Sequence, residues 1–325
     1  FAEKHSIPLI EIPADVSFKS ITRALMNRLI QDSTLDAPEN KGAMAVGRVE
    51  LLARSMKELW QQIFTSESPG DLHLDLNRFS LDMQLPIAVV IIYFAEEVEE
   101  TNLQNGEQKN RLSSQAEPVV MRILRQLRVS YLVGPSENYL TILLQPSFIE
   151  EKHEAYIKNI IFRLIQELKV YFPLNKIQST LSCLHDGLDT IKPALGEAEK
   201  ALQAVRLGLV KNEAITAYHN LGLYRLIMDT RNMETLNCFY NGTIKPLLVY
   251  DNNCDGALIK TLRQYLDSCS IKRAAEILYV HRHTMKYRLE QVKKLTGLNP
   301  LLPEDALQLN IGLHIYRYLK ALKML

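Results

Sequence analysis

Residues 274–281, AAEILYVH, constrain the fold of this chain more than any other stretch. The adjacent Ala274 and Ala275 are small where one helix must press closely on the next, and Tyr279-Val280 leaves room only for a short turn. The following helix begins near His281, with Met285, Leu289 and Val292 facing inward at helical spacing. With Leu262, Leu266, Ala275 and Leu278, these residues predict a compact three-helix core within 258–297. Arg282, His283, Lys286, Tyr287 and Lys293 are left pointing outward.

The same segment is basic. The whole chain has 325 residues and a formal net charge of only +1, yet residues 255–299 hold nine Lys/Arg against four acids. That segment is therefore +5 and the remainder −4, the asymmetry expected when one end of a protein meets phosphate. A recognition helix enters the major groove with its N-terminal residues at the base edges. Arg282 is placed for a bidentate contact to guanine, while Thr284 and the first-turn amides are placed for phosphate. Lys272 and Arg273 open the preceding helix and are placed to grip the flanking backbone. A Lys/Arg run alone is usually the wet face of a surface helix. Combined with the turn, the paired alanines and the string HRHTMKYRL, it points to DNA. His281 and His283 are two apart, so helical geometry predicts that they diverge, each meeting phosphate or solvent rather than one metal.

The four cysteines stand far apart with no CxxC, which argues for a reducing cytoplasm and against a zinc site or a disulfide framework. The longest apolar run, residues 85–95, falls short of the roughly 20 residues that cross a bilayer. The chain opens at Phe1 inside a helix-like pattern, which reads as a fragment lacking an N-terminal part. PLIEI at 8–12 reads as a strand, 17–31 as a helix capped by Ser17, and 32–42 as a polar linker. Residues 47–64 read as a helix whose apolar face (Val49, Leu52, Met56, Leu59, Ile63) packs within the chain or forms a dimer seam. From about 85 the pattern alternates: strand 87–94, helix 117–128, a hairpin of 130–134 and 138–145 across PSE, helix 154–172, strand 176–184, helix 191–208 and strand 214–219. Beyond about Leu221 only helix and turn are predicted.

AAEILYVHRHTMKYRLEQVKKLTG resembles the C-terminal helix-turn-helix of the PucR/CdaR-type bacterial transcription regulators. It departs from their usual pattern at His283, where Asn is common. It also looks like the Fis-type helix pair, in which the positions matching His281, Arg282, Thr284, Lys286 and Tyr287 meet DNA. The resemblance extends through 303–319 and 217–227, and residues 1–25 resemble the end of a PucR-type sensor domain. The middle resembles a GGDEF-like domain, a degenerate relative of diguanylate cyclases. A working cyclase needs a Gly-Gly-Asp/Glu-Glu-Phe hairpin and an Asp at the first strand's end to hold metal and nucleotide. This chain has PSENY at 135–139, with Asn138 where the second acid would sit, and its first strand ends in YFAEE. Glu96 and Glu97 are read as a solvated strand end.

The resemblance implies an α+β chain: a GGDEF-like mixed sheet domain with flanking helices, followed by an all-α helix-turn-helix domain. The expected division is a sensor-domain remnant over 1–35, a linker and connecting helix over 36–80, the degenerate GGDEF-like domain over 81–225, and the DNA-binding domain over 226–325. The implied protein is a cytoplasmic, ligand-responsive regulator of a catabolic or metabolic operon. It binds double-stranded operator DNA, as a homodimer, through Lys272, Arg273, His281, Arg282, His283, Thr284, Lys286 and Tyr287. Its small-molecule effector is not legible. No catalytic residue, cofactor, metal or membrane partner is expected. The competing reading is a nucleotide-binding or cyclase-like signalling protein with a DNA-binding tail.

Overall fold

The computed structural model describes residues 56, 58–61, 81–82, 85–95, 105–127, 129–134, 139–146, 153–211, 213–230, 232–254 and 257–325. The expected strand at 8–12, helix at 17–31, linker at 32–42 and sensor remnant lie outside the described residues, as do Glu96, Glu97 and residues 135–138.

The sheet is built on β1 (Pro86–Ala95), whose unbroken apolar run is what a strand buried on both faces requires. Around it lie β2 (Ser130–Gly134), β3 (Leu140–Gln145), β4 (Lys176–Leu181), the two-residue β5 (His185–Asp186) and β6 (Ile215–Ala217). The order is β2-β3-β1-β4-β6, with β5 pairing β1 off that path. All pairings are antiparallel except β4 with β6. Ile91 and Ile92, on opposite faces of β1, are both fully buried, which at about 1.5–3 kcal/mol per residue makes this strand the main apolar investment of the sheet.

Three helices cover the two faces: α1 (Asn105–Gln126), α2 (His153–Tyr171) and α3 (Ile191–Arg206). Phe94 meets Phe172, just after α2, edge to face at 5.3 Å, and Tyr131 donates to the Met121 carbonyl in α1 at 3.2 Å. Through the register Tyr131–Leu144–Ala88, Tyr131 and Phe94 share a face, so α1 and α2 lie on the same side. Thr180, paired with Ile91 on the opposite face, donates to the Ala198 carbonyl in α3 at 2.8 Å. On that side too sit the helical residues 58–61: a Cβ added to Gly134 would lie 2.5 Å from the Trp60 ring. Met56, Leu59 and Trp60 are buried in the sheet core. The described part of the 47–64 face, Met56 and Leu59, is thus spent inside its own chain, while Val49, Leu52 and Ile63 lie outside the described residues.

Helix α1 starts 12 residues before the expected 117. Pro118 imitates a first helical position in sequence. It instead stands on the exposed side above exposed Ser114, where the carbonyl it strips of a partner can meet water. Strand β6 ends at Ala217, short of the expected 219, because Tyr218–Leu221 form a 3-10 turn that buries Tyr218 and Leu221. Strand β5 escaped notice because two residues carry no periodicity.

The remainder is helical: α4 (Leu223–Asp229), α5 (Met233–Thr243), α6 (Lys245–Cys254), α7 (Leu258–Ser268), α8 (Ile271–Ile277), α9 (Arg282–Thr296) and α10 (Pro303–Ala321). Helices α5 and α10 cross closely at Gly312, where any Cβ would collide with Thr243 Oγ1. The two cores meet along α3. Ala194, Ala198 and Leu202 face the sheet, while Ala201 and Ala204 join Leu209, Tyr218, Leu221 and Tyr224 in the helical core. That core therefore reaches back across residue 225.

Candidate nucleic-acid interface

The three helices α7, α8 and α9 close on a small core of their own. Ala274 and Ala275 are buried against Met285, with Tyr265, Ile271, Leu278 and Val280 around them. Leu262 and Val292 have no exposure and Leu289 almost none, so the inward face read from the spacing is the buried one.

The connections are held by specific caps. Helix α7 ends with Cys269 in the left-handed region (φ 49°), its amide donating to the Tyr265 carbonyl at 2.7 Å. Ser270 then caps α8, its hydroxyl accepting from the Arg273 amide at 3.4 Å. Helix α8 ends in a Schellman turn: the Val280 amide donates to the Ala275 carbonyl at 3.0 Å and the Tyr279 amide to that of Glu276 at 3.2 Å. Tyr279 supplies the left-handed residue (φ 55°) where glycine is usual, and its side chain is 96 % exposed. A tyrosine held in that conformation with no burial in return is a feature that sequence pattern alone read as a plain turn. The signal available was the absence of Gly or Asn at the end of a short helix.

His281 is the N-cap of α9, with extended backbone (φ −71°, ψ 148°), and its Nδ1 accepts from the His283 amide at 3.3 Å. That bond places the proton of a neutral ring on Nε2. Because His281 stands outside the helix, its side chain does not diverge from that of His283. The two rings stack at 5.0 Å with an interplanar angle of 23°, contrary to the expectation from helical spacing. One of the first-turn amides expected to be open to phosphate, that of His283, is already taken.

Lys272, Arg273, His281, Arg282, His283, Lys286 and Tyr287 are all exposed, and Thr284 is half-buried. Among the described residues no carboxylate forms an ion pair with Lys272, Arg273, Arg282 or Lys286. Beyond the His281 cap and the buried Met285 and Leu289, two further members of the HRHTMKYRL string meet neighbouring helices. Tyr287 stands beside Tyr250 of α6. Arg288 Nη1 donates to the buried Thr261 of α7 at 3.4 Å, tying α9 to α7. The last turn of α9 carries Lys293 and Lys294 near the negative end of the helix dipole, and Gly297 closes it at φ 76°.

Among the described residues no three His, Cys, Asp or Glu side chains stand together as a metal site. No helix among them is long and apolar enough to cross a membrane.

Comparison with known proteins matches residues 258–315 to the PucR C-terminal helix-turn-helix domain and residues 65–204 to the GGDEF-like domain. Over 128 residues the chain is 34% identical to the purine catabolism regulatory protein of Bacillus subtilis (strain 168), covering 39% of this chain and 24% of that relative. Over 248 residues it is 22% identical to the proline-responsive transcriptional activator PutR of the same strain, covering 75% of this chain and 56% of the relative. The chain thus spans from a quarter to just over half the length of these relatives. A solved structure, a regulator of polyketide synthase expression from Bifidobacterium adolescentis, aligns with 82% of this chain and 98% of its own. At a TM-score of 0.37 and 17% identity, that likeness is too loose to carry an argument.

Proposed function

We propose that this chain, a PucR-type regulator by its GGDEF-like and helix-turn-helix domains, binds operator DNA and regulates a metabolic operon in the cytoplasm. One observation carries the reading. A Schellman turn and two side-chain caps fix α8 against α9 so that Lys272, Arg273, Arg282 and Lys286 are all exposed on a segment of net charge +5. Arg282, the first residue of α9, reads base edges, while Lys272, Arg273 and Lys286 grip phosphate. His281, His283, Thr284 and Tyr287 line the same approach, His281 through Nε2–H. Residues 81–225 serve as a scaffold without cyclase activity, and 226–325 as the DNA-binding domain. Residues 1–35 belong to a sensor domain that responds to a small molecule, and 36–80 connect it to the scaffold.

The functional unit is a homodimer. One helix-turn-helix buries too little surface for specific affinity, and paired half-sites about one helical turn apart are the common remedy. With Met56, Leu59 and Trp60 committed to the sheet core, the sheet domain supplies the pairing surface.

Selection of bound DNA from a random pool by the full 325-residue chain tests the reading. The expected product is a two-fold-symmetric motif. A pool that stays random, together with production of cyclic di-guanylate from GTP and Mg²⁺, would move the chain to the signalling-enzyme class.

A further inference from the structure

A cleft of about 140 Å³ opens between α7 and α10. Leu266 and Leu313 form its apolar walls, and Arg263, Asp267, Asn310, His314 and Arg317 line it with polar groups. Asn310, His314 and Arg317 recur at one-turn spacing along one face of α10, as Arg263 and Asp267 do on α7.

One lining side chain has a buried polar atom without a hydrogen-bond partner, Nδ1 of His314, and the hydroxyl of Tyr224, a neighbour of His314 that does not line the cleft, lacks one as well. Tyr224 is only 4 % exposed, and its ring stands edge-on to His314 at 5.1 Å. Natural proteins leave few such atoms unpaired, and each one calls for an explanation. The cations add the second half of the pattern. Arg317 is held by the carbonyls of Gly208 at 3.1 Å and Leu209 at 3.4 Å through one nitrogen, so its fork is fixed while its other N–H groups remain for a ligand. Among the described residues, neither Arg263 nor Arg317 is paired to a carboxylate.

We propose that this cleft binds a small carboxylate, gripped by Arg263 and Arg317 and hydrogen-bonded by the ring of His314. Planar guanidinium matches planar carboxylate. Asp267 on the rim repels a dianion more than a monoanion, which favours carboxylate over phosphate. Burial, with help from Arg317 and Arg263 and against Asp267, holds the His314 pKa below its ordinary value, so a neutral ring is available as a hydrogen-bond partner. The ligand would bridge α7, the first of the three interface helices, and α10, which Arg317 ties to the chain just after α3. The inference does not depend on which DNA the chain binds, or on whether it binds any.

The test is a titration of the full chain, labelled at histidine Cε1, with propionate at constant ionic strength. Loss of one signal in His314→Gln identifies the His314 resonance. That resonance should shift saturably, with an affinity at least about tenfold lower in the Arg263→Gln variant. Arg263 is exposed, and unchanged signals from the other histidines would show that the variant is folded. No saturable shift up to about 50 mM propionate, or an equal response in Arg263→Gln, would overturn the proposal. So would inorganic phosphate saturating the shift at lower concentration than propionate.

Discussion

His281 and His283 stack ring on ring, 5.0 Å between centroids, because the first lies outside the helix that the second belongs to. The same placement lets His281 Nδ1 cap the His283 amide. Replacing a side-chain N-cap with alanine costs about 0.5–2 kcal/mol. His281→Ala should therefore destabilise the chain by an amount in that range, and His281→Asn should restore it. Urea denaturation of the three proteins checks this; an alanine variant as stable as the parent would remove the cap from the account.

Arg282→Ala should cost roughly 1–3 kcal/mol per half-site and flatten preference at one base pair, because a bidentate guanine contact is lost. Lys272→Ala and Lys286→Ala should weaken operator and scrambled DNA about equally and reduce the salt slope by roughly one per phosphate contact. Arg288→Ala loses the bond to Thr261 and should lower stability more than it changes base preference. Titrations on both DNAs at several salt concentrations separate these behaviours. Equal weakening of both DNAs by Arg282→Ala would mean that α9 is docked differently.

Tyr279 occupies a left-handed turn with its side chain in water. Tyr279→Gly should raise stability by about 1 kcal/mol through relief of that conformation, whereas Tyr279→Ala, which keeps a Cβ, should not. Thermal unfolding of both variants decides the matter, and a glycine variant no more stable than alanine would show that the turn carries no strain.

Gly134→Ala should destabilise the sheet domain by roughly 1–3 kcal/mol, since its methyl group would enter the Trp60 ring. Trp60→Leu made alongside it should recover part of the loss, a coupling that a double-mutant cycle measures. Strictly additive effects would mean that the helical residues 58–61 do not lie over β2.

His314 resists protonation in the folded chain because of burial first, then the neighbouring Arg317 and Arg263, partly opposed by Asp267. The unfolded chain takes up that proton near its ordinary value of about 6.5. Stability from this group is therefore fully present above 6.5, falls as pH drops toward the lowered folded value, and levels off below it. Between pH of about 7.5 and 5.5 the parent should lose more stability than His314→Gln. Parallel curves for the two proteins would contradict it.

Periodicity and turn chemistry carried the sequence reading far at the C-terminal end. Ala274, Ala275, Met285, Leu289 and Val292 could be placed because their positions repeat at one helix's period and a short helix pair has few ways to close. The central strand β1 was legible for a related reason: a run like 87–94, wholly apolar and rich in β-branched residues, suits a strand buried on both faces. What the tertiary structure decided were matters between segments distant in the chain. Pro118 could sit inside α1 only because its face of the helix meets water, and Met56 and Leu59 found their partners in the sheet core rather than in another chain. Arg263 and Arg317 lie 54 residues apart, and local spacing says nothing of a cleft between their two helices. Even His281, two residues from its stacking partner, depended on where α9 starts, because one residue's step across a helix boundary redirects the side chain.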